Sequence, residues 1–95
     1  MTNILQEAEQ IIYGDREQTY GRPDKNLNCI AAMWTAYLQS TERDHVTAHD
    51  VCMMMILLKT ARQAHAFKRD NLVDTCGYAA LSDRLENEVR RTNDE

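Results

Sequence analysis

Residues Thr47 to Leu58 read "TAHDVCMMMILL", and the fold turns on them. Thr47 with Asp50 three residues on has the form of a capping box, with Asp in place of the more usual Glu, and marks the start of a helix. From Val51 to Leu58 that helix is apolar on every side for two turns. A surface helix carries one apolar stripe, so this one is expected to be central. Three consecutive methionines, Met53 to Met55, suit a surface that adapts to several neighbours, and they predict that a second subunit packs here as well.

Outward from this helix, expected over residues 47–66, the same spacing rules place three more. Ile4, Leu5, Ala8, Ile11 and Ile12 share one face of a helix over 3–13, which Gly14 is expected to stop as a left-handed cap. Pro23 and Asp24 open a second helix over 24–39, in which Leu27, Ile30, Ala31, Trp34, Tyr37 and Leu38 recur at three- and four-residue intervals. Gln39 to Val46 carries no period and reads as a surface loop. Beyond Phe67 the run "KRD" breaks the pattern, and Asp70 is expected to cap a fourth helix over 70–90 bearing Leu72, Val73, Cys76, Ala79, Ala80, Leu85 and Val89. The closing "RRTNDE" reads as a frayed end. The expected architecture is all-α: one helical domain, 1–95, folded as an antiparallel four-helix bundle with short connections and assembled as a homo-oligomer, a dimer first of all.

Composition narrows the functional classes. Eleven Lys and Arg against 15 Asp and Glu give a net charge of −4, which argues against general affinity for nucleic-acid phosphates or anionic membranes. Cys29, Cys52 and Cys76 are odd in number, far apart and inside helical patterns, so they read as small core residues of a reduced cytoplasm rather than a disulfide framework or zinc site. The N-terminus has no basic region followed by an apolar stretch, and the apolar run Val51 to Leu58 is too short to span a bilayer. A soluble intracellular protein is expected.

The sharpest chemical pattern joins the third helix to the fourth. Lys59 and Arg62 share a face of one, Asp70 and Asp74 a face of the other. Folding back about residues 66–67 brings Lys59 level with Asp74 and Arg62 with Asp70. Two readings of that register stand side by side: salt bridges that clip the hairpin, or a site in which Asp70 and Asp74 hold a divalent ion while Lys59 and Arg62 face a phosphate. Upstream, "YGDREQTYGR" (Tyr13 to Arg22) feeds the N-terminus of the second helix, whose free amides favour anions. Asp15, Arg16 and Tyr20 are its candidate ligand contacts; equally, Asp15 and Arg16 pair with neighbours and Tyr20 packs as a lid. Gly77 lies inside the fourth helix, where glycine costs about 1 kcal/mol relative to alanine. Close approach of another helix, or of a ligand, is expected there. His45 and His49 straddle the Thr47 cap, so they do not share a helical face and do not suggest a metal site.

The segments "ILQEAEQIIYGDREQTYG", "IAAMW", "MMMILLK" followed by "AR", and "DNLVDTCGYAAL" together resemble a family of small bacteriophage proteins that carry a domain of unknown function. The match runs from about Ile4 to Leu85 and implies a phage protein with an accessory role in the host cytoplasm. The chain is more distantly similar to the all-α nucleoside triphosphate pyrophosphohydrolases of the MazG type, whose helices supply carboxylates for magnesium in a dimeric bundle. Here only Asp70 and Asp74 fit that role, because Glu7 and Glu9 point to different faces and the buried part of the third helix has no acid after Asp50. Two functions follow as expectations. One is a binder of a nucleotide-like, phosphate-bearing small molecule, by sequestration or magnesium-dependent hydrolysis. The other is a non-enzymatic module that binds and inhibits a host defence protein.

Overall fold

The structure is a computed structural model that describes residues 3–15 and 23–94, the side chains of 15, 23 and 92–94 excepted. Among the described residues there are four α-helices and no strand: α1 (Ile4–Gln10), α2 (Pro23–Thr41), α3 (Ala48–His65) and α4 (Arg69–Asp94). The all-α expectation holds, with boundaries within a few residues of those read from the spacing.

α3 starts as its sequence dictates. The Thr47 hydroxyl accepts from the Asp50 amide at 3.1 Å, and the Asp50 carboxylate accepts from the Thr47 amide at 2.9 Å. α1 opens with a second capping box, in which the Asn3 side chain accepts from the Gln6 amide and the Gln6 side chain accepts from the Asn3 amide, both at 2.9 Å. It does not end at a left-handed glycine. The chain passes into a π-helical turn, Ile11–Asp15, and Gly14 sits inside it without a positive φ. The left-handed position falls instead on Glu42, with φ 56°, just after α2. Asp70 is not the cap of α4 either: it lies in the first turn, and the helix runs on to Asp94 through the expected frayed end.

α3 packs between α2 and α4, most extensively against α4. Side-chain bonds give the directions. Trp34 donates from Nε1 to the Met54 carbonyl at 2.6 Å, and Tyr37 reaches Asp50, so α2 and α3 run antiparallel. Lys59 meets Asp74 and His49 meets Ser82, so α3 and α4 are antiparallel too. The fourth wall of the expected bundle is missing. α1 packs chiefly on its own π turn, leaving Ile4 79% and Leu5 77% exposed. Among the described residues Ile30, Cys52 and Ala61 form the fully buried apolar core, and Met53 to Met55 are half-buried. The radius of gyration, 16.7 Å, exceeds the roughly 12 Å of a compact chain of this length. No helix among the described residues is long and apolar enough to cross a membrane.

Candidate functional site

Helical phase decides what the charged hairpin becomes. Because α4 begins at Arg69, the side chains turned toward α3 are Asn71, Asp74, Tyr78 and Ser82, of which Asn71 and Ser82 are buried. The Gln63 carbonyl oxygen accepts from the Lys68 amide and from Asn71 Nδ2, each at 3.0 Å, and fixes the turn. One turn further in, Lys59 Nζ lies 2.8 Å from Asp74 Oδ2, with the lysine side chain 14% exposed and the aspartate 45%. That pair forms as the spacing predicts. The second does not: Asp70 is exposed and makes no ion pair with Arg62, which is half-buried and engaged elsewhere. Asp70 precedes the α3-facing Asn71 by one residue, about 100° round the helix, and so turns away from Arg62.

Of the seven candidate residues, the structure therefore gathers Lys59, Arg62 and Asp74 at the hairpin and places Asp70 beside them but outward. Arg16, Tyr20 and the side chain of Asp15 lie outside the described residues. Asp74 gives one oxygen to Lys59, and no group of three or more acidic, histidine or cysteine side chains converges among the described residues.

The most highly organised polar cluster is one the sequence reading treats as loop and cap. Asp50 is completely buried at the α2–α3 corner. Its Oδ1 accepts from the Tyr37 hydroxyl at 2.7 Å and from Arg43 at 2.7 Å; its Oδ2 accepts from Arg43 at 2.8 Å and from the Thr47 amide at 2.9 Å. The Thr47 amide first, then the Tyr37 hydroxyl and the Arg43 guanidinium, hold the carboxyl well below the usual carboxylate range, against burial, which works the other way. Burial first, then the bond to Asp50 and its charge, push the Tyr37 phenol up. A carboxylate so fully engaged has no lone pair to offer a substrate proton. Its role is to lock the corner. The available signal was an acid at the mouth of an otherwise apolar helix, with an arginine seven residues before it.

Beside this corner, the start of α3 and the second half of α4 enclose an open groove of about 470 Å³ lined by Thr47, Ala48, His49, Ser82, Leu85 and Glu86. His49 Nδ1 and the buried Ser82 hydroxyl are hydrogen-bonded within it. Among the described residues no carboxylate bonds the ring, so the pair lacks the orienting acid of a nucleophilic triad. It acts as a second inter-helix clip. His45 pairs with Asp44 at 3.0 Å, away from His49.

The chain is similar to the Gene 55 protein of Mycobacterium phage L5, 41% identical over 85 residues that cover 88% of this chain and 53% of that protein. It is also similar to the Gene 55 protein of Mycobacterium phage D29, 36% identical over 84 residues, covering 87% and 53% respectively. The chain thus spans about half the length of the curated relatives it matches. No solved structure matches it. A family model described as a domain of unknown function, DUF6378, matches residues 3–86, and the chain belongs to that family.

Proposed function

We propose that this protein is a non-enzymatic interaction module, used by a phage in the host cytoplasm, that works by burying its exposed helix faces against another protein. One observation carries the reading. The accessible surface of the chain is 7455 Å², whereas a compact monomer of 11.0 kDa exposes about 5,600 Å². Among the described residues, large apolar side chains stand exposed, including Ile4, Leu5, Tyr13, Leu27, Val73 and Leu81. Large apolar side chains this exposed, on α1, α2 and α4, support the reading of helix faces that meet a partner. Inhibition of a host defence component is one use such a module serves. The test is affinity capture from host lysate with wild-type bait and with an Ile4→Glu, Leu5→Glu double variant. A stoichiometric partner retained by the first and lost by the second supports the reading, and identical protein profiles from both oppose it.

A second reading, in which the hairpin binds a phosphate-bearing small molecule such as a nucleotide, draws on Lys59 and Arg62. The two cations lie one turn apart on α3, both half-buried, with Asp74 against Lys59 at 2.8 Å. A phosphate would compete with Asp74 for the ammonium, and Asp70 with a released Asp74 would be the carboxylates available to magnesium. Thermal shift with a nucleotide panel, with and without magnesium, separates the readings. Stabilisation lost in Lys59→Met and Arg62→Ala variants supports this one, and no shift with any nucleotide opposes it.

A further inference from the structure

The outer surface of α4 carries a pattern that neither the hairpin nor the corner uses. Asp70, Val73, Gly77, Leu81 and Arg84 follow one another at intervals of three, four, four and three residues, which sets them in one stripe. Asp70, Val73, Gly77 and Leu81 each precede by one residue a member of the set turned toward α3, and Arg84 precedes Leu85 of the α3–α4 groove, so the stripe lies about 100° round the helix from that contact. All five residues are exposed, Val73 by 53% and Leu81 by 48%. At the centre, a Cβ added to Gly77 would meet nothing within 4 Å, so no described helix of this chain explains the glycine.

The spacing reads the same in both directions about Gly77, with an acid at one end, a base at the other and an apolar residue on each side between. That is the arrangement a two-fold axis requires, because in an isologous interface residue i meets residue j while j meets i. We infer that a second copy of this chain covers the stripe, its α4 crossing this one antiparallel with Gly77 against the partner's Gly77. Asp70 then faces the partner's Arg84 and Arg84 the partner's Asp70, while Val73 packs on the partner's Leu81 and the reverse. Glycine at the crossing point allows the backbones to approach closely. Among the described residues Arg84 pairs with Glu88 at 3.3 Å in an exposed contact through Nε, and the guanidinium carries further donors for a carboxylate across the axis. Alongside Leu81 and Arg84, Val51 of α3 is 50% exposed on an apolar groove of about 540 Å³, so two α3–α4 hairpins would close into a four-helix core.

This inference rests on the reading of the exposed helix faces as protein-binding surfaces and names the occupant of one of them. It is tested by sedimentation equilibrium of the full chain. Wild type is expected at twice the 11.0 kDa chain mass at roughly micromolar concentration. Gly77→Leu meets open space in the isolated chain and removes a helix-weakening residue, yet it should weaken self-association roughly tenfold or more by wedging the crossing. Asp70→Arg and Arg84→Asp should each weaken it by a similar factor, and the two together should restore it, since the exchange rebuilds both pairs. A dimer indifferent to all of these overturns this interface while leaving the protein-binding reading standing. A chain that stays monomeric and also captures no host partner overturns both.

Discussion

The α2–α3 corner and the outer side of the molecule are built on opposite terms. At the corner, Asp50 has no exposed surface and accepts four hydrogen bonds from Tyr37, Arg43 and Thr47, so its position is fixed by groups within one chain. On the outer side, α1 and the stripe of α4 expose isoleucine, leucine and valine. A buried polar cluster is tolerated only when its bonds are complete, whereas large exposed apolar patches mark surfaces that meet a partner. The corner is complete within one chain, and on the proposal above the outer faces are left for another molecule.

The largest effect should follow from breaking the corner. Asp50→Ala strands the Tyr37 hydroxyl and the Arg43 guanidinium and removes half of the α3 capping box, so its urea transition should lose cooperativity, while Asp50→Asn should keep the fold with a lower midpoint. The acid limb sharpens the same point. A carboxyl held low in the native state contributes stability that is fully present above its ordinary value of 3.8 and is lost progressively as pH falls below it toward the depressed native value. Denaturation of wild type should therefore steepen below pH 3.8, and Asp50→Asn should show a shallower slope there. Trp34→Phe removes the bond to the Met54 carbonyl but keeps most of the ring, for a loss of about 1 kcal/mol by thermal unfolding. Glu42→Gly relieves the left-handed backbone after α2 and should gain up to about 1 kcal/mol. Leu5→Ser, on the unfinished side, should change the stability of the dilute chain by less than about 0.5 kcal/mol, because Leu5 touches too little to lose.

How far the sequence could be read follows from the range of the forces involved. Local signals carried well: the Thr47–Asp50 box and the three- and four-residue spacing of Leu27 to Leu38 act within a turn or two and located α2 and α3 closely. The Lys59–Asp74 pair was legible because a hairpin converts spacing into register. Arg62–Asp70 was not, because one residue of phase at the start of α4 decides whether an acid faces α3 or solvent. Gly14 was misread as a stop because a π turn offers the same residue a helical alternative. The Arg43 lock escaped notice because the loop that carries it has no period, and its partners are set by tertiary geometry alone. The apolar surround of α3 pointed to more packing than the chain supplies, and Met53 to Met55 remain half-buried as a result.

The most direct measurement is the solution mass and size of the full chain by light scattering coupled to small-angle X-ray scattering. The expected result is a single species of twice 11.0 kDa whose scattering departs from that of the isolated 16.7 Å chain. A stable, folded 11.0 kDa monomer with a radius of gyration near 16.7 Å, unchanged by host extract, would contradict the claim that the outer helix faces exist to be covered.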